Sequence, residues 1–218
     1  MPLFHAGPAP KAQGPRAGGL RDGLGVAAGM KVGLFGGSFN PAHDGHLHLA
    51  GTALNRLGLD RVVWLVSPQN PLKDSAHTAP LAERMAGARA LATGPEMVVS
   101  DFETRVGTTW TVDTLRALQT RHPGVRFVWL MGSDNMAGFH RWRGWTDIMR
   151  AVPVAVIARP GSLLESRTSP AAARFASFRV PQERARMLPS MPAPAWTYLT
   201  APLNAKSSTA IRAGRAGA

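Results

Sequence analysis

Gly33-Leu34-Phe35-Gly36-Gly37-Ser38-Phe39-Asn40-Pro41-Ala42-His43-Asp44-Gly45-His46 begins within a short buried strand, Lys31–Phe35, that runs into Gly36-Gly37. It leads into a stripe of Leu47, Ala50, Leu54 and Leu57 at helical spacing. A buried strand therefore passes through a Gly-rich turn into a helix. The turn is neither of the two commonest phosphate loops. A Walker loop requires Gly-Lys-Ser/Thr, and no Gly-Lys pair occurs in the chain. A dinucleotide fingerprint requires an acidic residue closing the second strand, and that strand ends Leu65-Val66-Ser67-Pro68. What the segment offers is different. Gly36 and Gly37 let backbone approach a ligand with no Cβ in the way. His43 and His46, flanking Gly45 at a helix start, share one face. Free N–H groups and two imidazoles then meet at one point, a site suited to a polyphosphate. From spacing alone, a metal pair or two surface histidines remain open readings, and His48 reads as structural.

Outward from this segment, strands alternate with helices. Strands are expected at Arg61–Val66, Met97–Ser100, Val125–Met131, Val152–Ala158 and Ala195–Thr200. Helices are expected at Gly45–Leu57 (with Gly58 as its stop), Pro80–Ala92, Thr111–Thr120 and Asn135–Arg150. The stretch Gly161–Pro194 is irregular apart from a helix near Pro170–Phe178, and Ser208–Arg212 opens a last short helix. The alternation predicts an α/β fold, a Rossmann-like, doubly wound parallel sheet whose ligands sit beyond the carboxyl ends of the strands. Residues 1–29, rich in Gly, Pro and Ala, show neither periodicity and read as a disordered extension before one domain spanning residues 30–218. Met30, just before the first strand, offers a second place for translation to begin.

Composition narrows the function classes. The hydrophobic fraction of 44% over 218 residues supports a real core, and the absence of cysteine excludes disulfides and Cys-based zinc sites. No apolar run is long enough to span a bilayer and no secretory h-region opens the chain, so no membrane association and a cytoplasmic location are expected. The net charge of +12 favours anionic partners. Its arginines are scattered rather than clustered with aromatics, so a nucleic-acid-binding module is the weaker alternative and no nucleic-acid partner is expected.

The segment Gly36–His46 resembles the GxFxPxHxGH signature of the nucleotidylyltransferase superfamily. Lys206-Ser207-Ser208-Thr209-Ala210-Ile211-Arg212 is similar to that superfamily's second signature, ISSTxIR, with Lys206 where Ile is usual. The two stand about 165 residues apart, in the order the superfamily requires. Ser208 and Thr209 are good N-cap residues, and Arg212, a helical turn further on, reaches the same face.

Two interior stretches resemble the bacterial nicotinate-mononucleotide adenylyltransferases in particular: Met131–Trp145, similar to G-[AS]-D-N-x-x-x-F-x-x-W, and Thr109–Leu115, similar to S-Y-T-x-D-T-L. The resemblance implies transfer of the adenylyl group of ATP, with Mg2+ arriving on the nucleotide, to nicotinate mononucleotide. It implies catalytic roles for His43, His46 and Arg212. ATP contacts would come from Gly36, Gly37, Ser38, Phe39, Ser208, Thr209 and Asp134, and nicotinate-nucleotide contacts from Thr109, Trp110, Thr111 and Trp142. No all-protein metal site is implied. Pantetheine-phosphate adenylyltransferases and cytidylyltransferases, which share the superfamily signatures, remain the nearest alternatives. Trp142 and Trp145 could equally be core-facing aromatics on a helix, and Lys73, Asp113 and Arg159 could be solvated charges.

Overall fold

A computed structural model describes residues 22–68 and 78–200. The strands are β1 Lys31–Gly37, β2 Arg61–Val66, β3 Met97–Ser100, β4 Arg126–Gly132, β5 Val154–Ile157, β6 Arg179–Val180 and β7 Trp196–Leu199. All paired neighbours are parallel, and the sheet order is β3-β2-β1-β4-β5-β7-β6. The chain builds outward from β1 to β3, then returns to lay β4 on the other flank of β1. That reversal opens a crevice between the carboxyl ends of β1 and β4, where the connections leave toward opposite faces.

Helices α1 Asp44–Leu57, α2 Leu81–Leu91, α3 Phe102–Val106, α4 Thr111–Arg121, α5 Ser133–Gly138, α6 Trp145–Ala151, α7 Leu163–Arg167 and α8 Pro170–Arg174 cover the sheet. Strand residues alternate between its two faces, and both faces are buried, which is why the strands read as nearly continuous apolar runs. Val62, Trp64, Val128, Leu130, Ala155 and Ile157 pack with Leu49, Ala53 and Leu57 of α1, Met85 and Ala88 of α2, and Leu188 of the 3-10 helix Gln182–Ser190. Val63, Leu65, Phe127, Trp129, Val154 and Val156 pack on the other side with Leu115 and Leu118 of α4 and Ile148 and Met149 of α6. The sheet is thus doubly wound, as the alternation predicts. Among the described residues no helix is long and apolar enough to cross a membrane.

Several expectations change. The long helix predicted over Asn135–Arg150 is three pieces: α5, a 3-10 turn at Phe139–Arg141, and α6. Gly144, with φ 64°, breaks the run before Trp145. Helix α3 and strand β6 escape sequence reading because five and two residues are too short to show a period. Gly58 does end α1, in the left-handed conformation (φ 61°) with its N–H bonded to the Leu54 carbonyl.

The boundary of the expected extension also moves. The sequence predicts disorder through Gly29, yet residues 22–29 pack at the amino-terminal edge of the sheet. Leu24 and Val26 are buried in the core beside Phe127 and Trp129. Arg61 donates to the carbonyls of Leu24 and Gly25, the Gly29 N–H donates to the Gly124 carbonyl at 2.8 Å, and Asp22 meets the buried His122 ring. Two apolar side chains spaced by one residue in a Gly-rich segment carry too little pattern to be seen in sequence. The remainder of that extension and the helix expected at Ser208–Arg212 lie outside the described residues. A chain beginning at Met30 should melt several degrees below the full chain, at about 2–4 °C per kcal/mol of lost burial. Equal thermal midpoints would mean that docking of residues 22–29 contributes nothing.

Candidate active site

The Gly-rich turn leaves β1 at the crevice. A Cβ on Gly36 would collide with the Trp129 ring, so only glycine lets β1 and β4 sit at this separation. The Phe39 ring is 1% exposed, stacked on Trp64 (centroids 5.2 Å) and edge-on to Phe35 (5.3 Å). This anchor holds Phe39 at φ 47°, a conformation that side chains other than Gly, Asn and Asp rarely adopt. Phe39 therefore belongs to the core by its side chain, and any part it takes in binding falls to its backbone.

Four residues further on, His43 caps α1. Its Nδ1 accepts the Gly45 backbone N–H at 3.1 Å, while the Nδ1 of His46 accepts the N–H of His43 at 3.2 Å. The two side chains form a reciprocal capping box in which imidazoles replace the usual Ser and Glu. The chemical consequence is direct. A backbone N–H only donates, so each Nδ1 must be the bare nitrogen, and each neutral ring carries its proton on Nε2. Both imidazoles become Nε2–H donors. Their centroids lie 3.8 Å apart, and His46 rests on the Phe39 ring at 5.0 Å. The helix N-terminus adds its partial positive charge. This arrangement suits an anion spread over two phosphates.

On the other side of the crevice, β4 ends in Gly132 and passes into α5. Asp134, in the first turn of α5, is exposed and pairs with Arg159, which follows β5, at 3.3 Å. The buried Ser133 hydroxyl accepts the Arg159 N–H at 2.8 Å and lies 2.7 Å from the Ser162 hydroxyl. Arg159 is thus tied into the exits of β4 and β5. Asp113 pairs with Arg116 at 3.3 Å on the surface of α4.

The segments expected to recognise the pyridine nucleotide come together. Trp110 precedes α4 and Thr111 is its first residue. The Arg143 guanidinium lies over the Trp110 ring at 5.3 Å, and its neighbour Trp142 packs edge-on against Phe139 (5.3 Å) and Trp129 (6.4 Å). Trp110 and Trp142 are each partly buried and pack against the core, with part of each ring accessible. Thr109, beside them, is exposed. Ser208, Thr209, Arg212 and Lys73 lie outside the described residues.

Glu103, which sequence reading missed, sits 5% exposed beneath this segment. Its Oε1 accepts from the Thr114 hydroxyl at 3.2 Å, and that hydroxyl is 3.0 Å from Thr108 Oγ1 and 3.2 Å from the Trp110 carbonyl. Burial pushes the Glu103 carboxyl up to about 7, partly countered by the Thr114 hydrogen bond.

Comparison with known proteins places the chain. The cytidylyltransferase-like family model matches residues 34–214. A probable nicotinate-nucleotide adenylyltransferase of a Caulobacter species is 66% identical over 183 residues, covering 84% of this chain and 97% of that protein. One from Methylorubrum extorquens is 55% identical over 183 residues, 84% of this chain and 99% of that protein. The chain belongs to the nicotinate-nucleotide adenylyltransferases of the cytidylyltransferase-like family. The family match extends through Lys206–Arg212, so the second signature lies inside it. The fold is also that of the Plasmodium falciparum nicotinic acid mononucleotide adenylyltransferase solved with NaAD. That likeness has a TM-score of 0.64 at 15% identity, over 84% of this chain and 82% of that one.

Glu103 gives this member of the family a pH-dependent stability. Between about 4.5 and 7 the native carboxyl keeps its proton while the unfolded one ionises, so stability falls as pH rises through that window. The Glu103→Gln variant lacks this loss. From pH 5 to pH 8 its stability should gain about 2–3 kcal/mol relative to wild type, measured by urea denaturation. A difference constant with pH would mean an ordinary carboxyl at Glu103.

Proposed function

We propose that this chain transfers the adenylyl group of ATP to nicotinate mononucleotide, forming nicotinate adenine dinucleotide and pyrophosphate. A phosphate oxygen of the mononucleotide attacks the α-phosphorus in line. The bond from that phosphorus to the oxygen bridging it to the β-phosphorus breaks, and pyrophosphate leaves with the electron pair. The attacking phosphate is already anionic at neutral pH, so the mechanism uses no general base and no covalent enzyme intermediate. The protein's work is to align two anions and to stabilise charge as it moves onto the leaving oxygen.

The observation that carries this reading is the pair of imidazoles locked as Nε2–H donors at the start of α1. In the proposed mechanism His43 and His46 donate to the α- and β-phosphates, and Gly36, Gly37 and Ser38 bring backbone close to the nucleotide. Arg212, Thr209 and Ser208 hold the outer phosphates, and Asp134 takes ribose hydroxyls. Trp142 lies along the pyridine ring, and the backbone around Thr109, Trp110 and Thr111 meets its carboxylate. ATP enters as its magnesium complex, the cation held chiefly by phosphate oxygens and water. The imidazole and backbone donors fit that arrangement, since they bind phosphate directly and leave the metal's shell to the substrate. We assign the reaction to the cytoplasm, because both substrates are multiply charged nucleotides that do not cross a bilayer unaided.

Pyrophosphate release should depend on nicotinate mononucleotide when it, nicotinamide mononucleotide and phosphopantetheine are offered separately with ATP and magnesium. Faster release with either of the other two overturns the acceptor assignment, and release with none overturns adenylyl transfer to this class of acceptor. Replacing His46 with alanine should lower kcat at least ~10²-fold, the loss of a donor to transition-state charge. A folded variant near the wild-type rate would remove His46 from the mechanism.

A further inference from the structure

Arg84 lies in the first turn of α2, and three features of its placement oppose it. It is 3% exposed, so its charge is desolvated. It stands near the positive end of a helix, where a cation is disfavoured. No carboxylate among the described residues forms an ion pair with it. What offsets these costs is a set of backbone carbonyls. Nε donates to Ala79 O at 2.8 Å, Nη1 to Ser38 O at 2.8 Å and to Ser67 O at 2.7 Å, and Nη2 to Pro68 O at 2.8 Å. Burial lowers its pKa, in keeping with a charge held by dipoles rather than by a counter-ion.

The four carbonyls come from three separate segments. Ser38 lies in the Gly-rich turn after β1, Ser67 and Pro68 follow β2, and Ala79 leads into α2. Ser67 completes the tie, its N–H donating to Gly37 O at 3.0 Å and its hydroxyl to the same oxygen at 3.2 Å. The turn that precedes the His43–His46 cap is therefore stitched to the end of β2, and one planar guanidinium makes most of the stitches. A lysine cannot substitute, because an ammonium is a point donor with three hydrogens and cannot reach carbonyls spread around a fork.

We propose that Arg84 is a positioning residue for adenylyl transfer, fixing the backbone of the Gly36–Phe39 turn by clamping it to the end of β2. It touches no substrate. It acts through the turn, so its loss misplaces the nucleotide relative to the attacking phosphate rather than removing a binding contact. Misplacement by about 1 Å costs on the order of 10²-fold in rate. The proposal rests on the function proposed above, and its test separates the two.

Arg84→Lys is assayed at saturating substrates, well below its own thermal midpoint. The expected result is a kcat lower by about 10–100-fold with both KM values within roughly threefold of wild type. Hydrogen exchange gives a readout independent of activity: amides of residues 36–46 and 66–68 should exchange faster, while β4 and β5 peptides stay unchanged. A kcat within twofold of wild type, or exchange unaltered in the turn, overturns the proposal. So does an activity loss that disappears on cooling, because it would report stability alone. If Arg84→Lys does not fold, Arg84→Gln is used, and failure of both to fold makes Arg84 a structural residue and also overturns the proposal. If wild type itself releases no pyrophosphate, the function fails, and the exchange measurement still decides whether Arg84 holds the turn.

Discussion

Two backbone N–H groups at the start of α1, those of His43 and Gly45, end on imidazole Nδ1 atoms, and much of the site follows from that exchange. Capping a helix is an ordinary structural task, usually given to Ser, Asp or Glu. Done by histidines, it also sets the tautomer of each ring and leaves the proton on Nε2, the nitrogen turned away from the cap. One pair of hydrogen bonds thus starts the helix and prepares the two donors.

The cap works only if the turn before it is held still. Three devices do this from different directions. Gly36 yields to Trp129 on the β4 side, Phe39 is buried among Phe35, Trp64 and the His46 ring, and Arg84 reaches across from α2. Each connects the turn to a different part of the sheet or its cover, so the site inherits the rigidity of the whole. The other half of the crevice is arranged differently. There Arg143 joins the segment of Trp142 to the Trp110 ring, over a buried network of Glu103, Thr108 and Thr114. A rigid turn with two paired imidazoles facing a more polar, titratable segment suits a reaction in which positioning is the protein's main contribution.

What sequence can carry here is periodic or local. The strand–helix alternation points to the doubly wound parallel sheet because β strands buried on both faces and helices with one apolar stripe leave distinct patterns. His43, His46 and Gly36 are legible because their spacing places them on one turn, and the resemblance to nucleotidylyltransferases rests on two short signatures that survive in order. That the segments of Trp110 and Trp142 belong together is legible only by motif likeness, because 32 positions separate them and nothing local joins them.

The tertiary structure decided the rest, for a physical reason that recurs. Arg84 and Glu103 look like ordinary helix charges, since the carbonyls and hydroxyls that make them matter come from distant segments. Leu24 and Val26 sit in a segment with no period, and only the hydrophobic edge of the sheet gives them somewhere to go. Sequence by itself determined the layering of the fold, the Gly-rich turn that carries His43 and His46, and the family. Which charges are buried, which loops they tie together and how residues 22–29 join the sheet depended on long-range contacts, whose free energy belongs to pairs of segments and is written in neither one alone.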